Sequence, residues 1–272
     1  MTQSPETTPS QKALASLDRS GFPFQTAVAS LVTGTPGWSI ARSEFPWTDR
    51  HGTDQFLDLV ATDGTHYLGI ECKKSRDEAL TFLLPGPSLP ETEDTLCLHA
   101  VQIQDSTRRM ELYNSIWRLA PRSPVSEFCV ATHAPSGKDS RLLERSAQML
   151  VRGTDAFAQH RQTHFSPGAD PLPVPALFLP VIVTNSPLYV FQYDPHTVPL
   201  GQGALLPPAS ALVAVPCVRF RKAFTAEHSL GHGERTVLVV SAQSLQDILG
   251  NLAVQSDVPE VQYGQLPRQP RW

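Results

Sequence analysis

The chain has 272 residues, with 22 Lys plus Arg against 26 Asp plus Glu, a net charge of −4, 40% apolar residues and 25 prolines. That length buries a full core without disulfides, and the charge excludes a broadly basic nucleic-acid coat while allowing a local basic groove. Proline at about 9%, against a usual ~5%, predicts many loops and broken elements.

The longest mostly apolar run, near Ala176 to Val183, is far shorter than the roughly 18–20 residues of a membrane span. The N-terminal stretch has no basic head followed by an apolar segment, so no secretory signal is expected. Cys72, Cys97, Cys129 and Cys217 are dispersed and form no C-x-x-C, which argues against structural zinc and suits a reducing, cytoplasmic setting.

Residues 1–10 are rich in Ser, Thr, Pro and Gln and are expected to be disordered. Ser10 reads as the cap of a short helix through about Asp18, ended by Gly21. Pro23 fits the first turn of a second helix, with Phe24, Val28, Leu31 and Val32 on one face; Gly34 to Gly37 stop it. A strand is predicted from Trp38 to Trp47 and another from Gln55 to Ala61. Asp63-Gly64 is a tight-turn signal, and His66 to Lys73 is the return strand. Residues 84 to 94 read as loop. Leu96 to Gln104 alternates in part, and Arg108 to Leu119 fits a helix or a strand with Met110, Tyr113 and Trp117 as its apolar face. Phe128 to Ala131 is a short strand.

Lys138 to about His160 is the clearest helix, with Leu142, Leu143, Ala147, Leu150, Val151, Ala156 and Phe157 at helical spacing. After a Pro-rich connector, strands are predicted at Ala176–Val183, Leu188–Tyr193, Ala211–Phe220 and Thr236–Val240, then a helix at Ser244–Leu252 and a loose tail over 256–272. The pattern is α/β: a central mixed sheet flanked by helices. Residues 11–255 are expected to form one domain, with a core at 21–75 and 138–194, an insertion at about 85–135 and a C-terminal elaboration at 211–253.

The chemistry concentrates between Asp58 and Lys73. Side chains alternate along a strand, so Glu71 and Lys73 share one face while Leu68, Ile70 and Cys72 share the other. With the turn at Asp63-Gly64, Asp58 falls opposite position 69, one same-face step from Glu71, roughly 7 Å on the diagonal. Two close carboxylates repel, and one takes up a proton unless a cation bridges them. Mg²⁺ is held by one or two carboxylates with waters and phosphate oxygens, and the Cys72 carbonyl offers another oxygen. Lys73 then faces the attacking water or the phosphate. These are the parts for phosphodiester hydrolysis. The plain alternative is a solvated edge hairpin whose Glu71, Lys73 and Lys74 are surface charges.

A lone Asp, a hairpin, and Glu-x-Lys after apolar residues resemble the PD-(D/E)xK nuclease superfamily, the restriction-endonuclease-like fold. The order helix, strand, strand with Asp58, strand with Glu71 and Lys73, helix, strand is similar to that core over residues 21 to 75 and, more weakly, 138 to 194. The resemblance implies Mg²⁺- or Mn²⁺-dependent cleavage of DNA, less often RNA, with Asp58 and Glu71 as metal ligands and Lys73 as the catalytic lysine. Many members carry a further acid on the first helix; Gln25 stands there, as a polar auxiliary or water-binding group, and Glu44 is the candidate for the missing carboxylate. Leu57 replaces a proline common before the Asp. Fold-level analogy implies bacterial or antiviral defence, and a chain of net charge −4 without its own DNA-binding module is expected to rely on a homodimer or a partner subunit for targeting. A catalytically inactive docking or assembly subunit of the same fold is the rival.

Lys73, Lys74 and Arg76 form a small basic cluster, and Arg108, Arg109, Arg118 and Arg122 a second one interleaved with Tyr113 and Trp117. Either can meet phosphates or be a solvated face; for the second, core aromatics with surface arginines is the favoured reading, as it is for Arg219, Arg221 and Lys222 around Phe220. His160 and His164 are expected to cap or decorate a helix end, and Asp194 and His196 to belong to a turn. No P-loop, Gly-x-Ser-x-Gly or dinucleotide glycine motif is present.

Overall fold

Hydrophobic alternation, two helix caps and one apolar strand set the architecture. In the computed structural model the described residues are 8–49, 51–74, 79–86, 91–103, 109–131, 142–166, 176–201, 212–224 and 233–255. In chain order they form α1 (Pro9–Arg19), α2 (Phe22–Thr33), β1 (Ser39–Thr48), β2 (Asp54–Thr62), β3 (His66–Lys73), β4 (Leu80–Pro85), β5 (Glu91–Ile103) and β6 (Arg109–Ser126). There follow β7 (Phe128–Ala131), α3 (Leu142–Thr163), β8 (Ala176–Thr184), β9 (Leu188–Tyr193), β10 (Leu212–Ala214), β11 (Cys217–Phe224), β12 (Gly233–Ser241), α4 (Leu245–Asn251) and β13 (Ala253–Val254). The protein is α/β, as its sequence predicts.

Helix α1 is capped by Thr8 rather than Ser10: the Thr8 hydroxyl accepts from the Gln11 N–H, and the Gln11 side chain accepts from the Thr8 N–H at 2.9 Å. This reciprocal box satisfies two otherwise orphaned donors, so Pro9 and Ser10 are helical rather than part of a disordered leader. Helix α2 starts after Gly21, whose φ of 81° is glycine territory, and buries Val28 and Val32 as predicted.

Residues 109–126 resolve as a strand. Met110 packs in one core and Trp117 in the other, as strand parity demands, so they do not form the shared face that helical spacing implied. The stretch 85 to 135 supplies β5 and β6 to the large sheet, and the C-terminal segment adds β11 and β12 to the same sheet.

Among the described residues the large sheet runs β1-β2-β3-β8-β12-β11-β6-β13, with β5 joining β6 and β8. The first two hairpin pairings are antiparallel, and β8 runs parallel to β3. Every residue of β8 is buried, as expected of a strand covered on both faces. Its far edge pairs with β5 up to Phe178 and with β12 from Val181. Pro180 sits in the gap between these ladders, where a residue without an N–H is tolerated.

Two cores sandwich the sheet. On one side α3 contributes Ala147, Leu150, Val151 and Phe157, and a four-stranded sheet, β10-β9-β4-β7, adds Phe82, Leu84 and Val190. On the other, α2 and α4 pack Val28, Val32, Leu245 and Leu249 on Leu59, Leu68, Ile70 and Val181. Helix α3 comes unusually near the strands through two glycines. A Cβ on Gly69 would lie 2.3 Å from Thr154 Oγ1, and one on Gly153 would lie 2.6 Å from Leu57 Cδ2.

Gly69→Ala is expected to destabilise the protein by about 1–3 kcal/mol through overpacking. Thr154→Ala in the same chain should recover much of that loss, because it removes the Oγ1 in the way. Urea denaturation of the two single variants and the double variant measures the coupling; additive losses would mean that the backbone, not Thr154, yields.

Candidate active site at the β2–β3 fork

The hairpin places its acids through an interruption in β2. Leu57 and Val60 pack in the α3-side core, whereas Leu59 and Ala61 pack in the opposite one. In a regular strand, positions 57 and 59 share a face, so the alternation slips by one residue at Asp58. The β2–β3 ladder extends from Thr62↔Tyr67 to Leu59↔Ile70 and stops there.

Side chains take over where the ladder ends. Asp58 Oδ2 accepts the Cys72 main-chain N–H at 2.7 Å, and the Asp58 carbonyl accepts from Gln25 Nε2 at 2.9 Å. These two main-chain groups at the fork are thus paired rather than left as buried orphans. Gln25 acts on the backbone of Asp58, a tie more specific than the general polar role expected of it.

The register also differs from the predicted one. Residues 63–66 connect the last ladder pair, with Asp63 Oδ1 accepting the N–H groups of Thr65 and His66 at 2.8 and 2.6 Å. This connection is two residues longer than the tight turn. Continuing the register puts Asp58 opposite Glu71 rather than opposite position 69. The shift is by two, so the face is preserved and the acids come closer to direct opposition.

Glu44 lies across from Asp58 on β1, between the pairs Ser43↔Leu59 and Phe45↔Leu57. Its φ of 50° is in the left-handed region, where a residue with a Cβ persists only if its surroundings hold it. A cleft of about 330 Å³ is lined by Gln25, Glu44, Asp58, Glu71 and Cys72, with Ser20, Gly21, Phe22 and Phe56 completing its walls. Among the described residues no three His, Cys, Asp or Glu side chains gather closely enough to hold a metal ion by themselves. Glu44 therefore does not join Asp58 and Glu71 in one ligand cluster, contrary to its expected role as a third carboxylate ligand.

Both central carboxyls are raised above the ordinary range. For Asp58 burial is the main cause, opposed by the Cys72 N–H and by Lys73, with Glu44 adding repulsion. For Glu71 burial again leads, and the Asp58 charge pushes it further against the pull of Lys73. Lys73 Nζ sits 3.2 Å from Glu71 Oε1. That pair is half exposed, so its attraction is screened. The Cys72 thiol is pushed up by burial and by both acids, so it stays neutral, and only its main chain is available to a hard cation.

The donor set fits Mg²⁺ or Mn²⁺: two carboxylates and the Cys72 carbonyl, with remaining positions for water and phosphate oxygens. A cation there would relieve the repulsion and desolvation that burden the acids.

Most other candidates lie apart from this cleft. Lys74 is exposed at the end of the motif strand; Arg76 and Arg108 fall outside the described residues. Arg109 pairs with Glu111 at 2.8 Å and Arg118 with Glu93 at 2.9 Å, and neither lines the cleft. Arg219 is buried, with hydrogen bonds to Thr95 Oγ1, the Pro121 carbonyl and others. His164 Nδ1 meets the His160 carbonyl at 2.8 Å, a helix-end contact, and Asp194 accepts the His196 N–H in a turn. Sequence reasoning passed over Phe22 and Phe56. The adjacent pair Phe56-Leu57 carried a signal, since neighbours in a strand point to opposite faces.

Comparison with family models, curated proteins and solved structures gives no match to this chain.

A carboxyl whose folded-state pKa exceeds its unfolded value costs stability as pH rises from the unfolded value through the folded one. Asp58 and Glu71 are both of this kind. Asp58→Asn removes one burdened charge and keeps an acceptor for the Cys72 N–H. In EDTA at pH 8 its Tm is expected to rise by roughly 2–4 °C, and the gain should fade as the pH is lowered to about 4, the ordinary carboxylate value. Burial also pushes Asp155 up to about 6 despite Arg235 at 3.8 Å, but that slope is common to both proteins and cancels. Calorimetry at the two pH values checks this; a lower Tm at pH 8 would mean the carboxylate holds the fork together.

Proposed function

We propose that this chain is a Mg²⁺- or Mn²⁺-dependent nuclease of the PD-(D/E)xK type that cleaves DNA internally. The observation that carries the reading is the opposition of Asp58 and Glu71 across the β2–β3 fork, with Lys73 on Glu71. The path α2–β1–β2–β3–α3–β8, with β8 parallel to β3, resembles that superfamily's core and supports a restriction-endonuclease-like fold. The strands β4 to β7 then lie within the crossover from β3 to α3.

Asp58, Glu71 and the Cys72 carbonyl would hold the cation. When bound, such an ion polarises a phosphate oxygen and makes a water acidic enough to attack. Gln25 keeps the Asp58 backbone in place through its carbonyl, and the Cys72 N–H fixes the carboxylate's orientation. Lys73, paired with Glu71, would position the water and stabilise charge on the phosphate. Among the described residues no lysine or arginine lines the cleft and Lys73 is paired with Glu71, so a second copy or a partner subunit would supply targeting.

Gln25 favours one other reading, a non-catalytic subunit for DNA docking or assembly. Its amide is committed to a backbone carbonyl where an acid is common. The burdened acid pair weighs against that reading, since an idle site gains nothing from two desolvated carboxylates.

Purified protein is expected to nick supercoiled plasmid in Mg²⁺ or Mn²⁺ and not in EDTA, and Lys73→Ala should lower the rate by about 100-fold or more. Isothermal calorimetry should register Mn²⁺ binding that Glu71→Gln abolishes. Absence of both cleavage and metal binding would overturn the nuclease reading in favour of the docking subunit.

A further inference from the structure

Phe22, the first residue of α2, and Phe56, two residues before Asp58, are each 58% exposed. Both form walls of the cleft that holds Asp58 and Glu71. A single exposed phenylalanine is ordinary on a protein surface. Two on the walls of one cleft, beside an acid pair, make an apolar surface that meets whatever approaches those acids.

We propose that Phe22 and Phe56 stack on unpaired bases, so that the substrate is a nucleic acid with a single-stranded or splayed stretch at the scissile phosphate. This deepens the nuclease reading and rests on it. Base faces inside a duplex are covered by their neighbours, so an aromatic ring gains contact only where a base has left the stack. Charge leaves the rings a larger share of the affinity. Nucleic-acid binders of either strandedness draw much of their affinity from lysines and arginines on phosphates. Among the described residues the cleft is lined by Glu44, Asp58 and Glu71, Lys73 is paired with Glu71, and Arg109 and Arg118 are held by their own acids. Rings can supply what phosphate contacts do not, roughly 5- to 150-fold in affinity per stacked base.

The test is fluorescence anisotropy with a labelled oligonucleotide in Ca²⁺, as single strand, as annealed duplex and as an abasic strand of equal length. The single strand is expected to bind best. Phe22→Ala and Phe56→Ala should each weaken it about 5-fold or more, Phe56→Trp should restore it, and binding of the abasic strand should be weak and unaffected by any of these changes. Both positions are exposed, so thermal melts should match the parent. The same ring dependence with RNA in place of DNA retains the inference and assigns the sugar. Duplex or abasic strand binding as well as single strand, or Ala variants binding like the parent, overturns it. So does a shift of the Ala variants to a smaller species in gel filtration, which would give the rings to a subunit contact. Ring-dependent binding with neither cleavage nor metal binding keeps this inference and defeats the catalytic reading; ring-independent cleavage of duplex does the reverse.

Discussion

The main-chain ladder between β2 and β3 ends at Asp58, and the rest of the site depends on how that ending is satisfied. A strand that leaves its partner exposes N–H and C=O groups that must be paired if they are buried. Here one side chain and one helix do the pairing. The Asp58 carboxylate takes the Cys72 N–H, and Gln25 on α2 takes the Asp58 carbonyl. The same contacts that close the fork also aim an acid into the cleft and tie it to the helix that forms one wall. Structure and chemistry share atoms at this point, so neither can vary alone.

Rigidity around the fork keeps the acids under strain. Strand β3 is covered by α3 on one face and α2 on the other, and α3 approaches through glycines that leave no room for a Cβ. Beyond it β8 is buried along its whole length. A close-packed interior resists small displacements. The backbone positions of Asp58 and Glu71 are therefore confined, and their repulsion is relieved by proton uptake and by the pull of Lys73; a bound cation would relieve it further. The left-handed backbone at Glu44 belongs to the same picture, a third acid held near the pair by its surroundings.

Much of this arrangement was legible in the sequence. Alternation gave the hairpin, its inward face and the shared side of Glu71 and Lys73, and the apolar spacing of Val28 and Val32 gave the face of α2. The register was not legible, because Asp63-Gly64 reads as a two-residue turn while Asp63 in fact spends its carboxylate on two N–H groups and His66. The slip at Asp58 was hidden for a related reason: nothing in Phe56-Leu57-Asp58-Leu59 says which leucine faces which core. Strand β6 was ambiguous because Met110, Tyr113 and Trp117 suit a helical stripe, and only pairing with β5 decides against it. Partners distant in sequence, such as Gln25 with Asp58, leave no local signature at all.

The distribution of charge gives the site its direction. The chain carries more acid than base, and Arg109, Arg118 and Lys222 each have an acidic partner, so these side chains do little to draw a polyanion in. At the fork the balance is worse, with two raised carboxylates, Glu44 nearby and one half-exposed lysine. A phosphate would be repelled by this cleft unless positive charge were first placed between it and the acids. One small divalent ion would do both jobs at once: it would relieve the pair that the fold forces together and turn a repulsive cleft into an attractive one. On that argument metal and substrate would be linked ligands, each raising the affinity of the other, and the unfavourable state of the bare site would make that linkage strong.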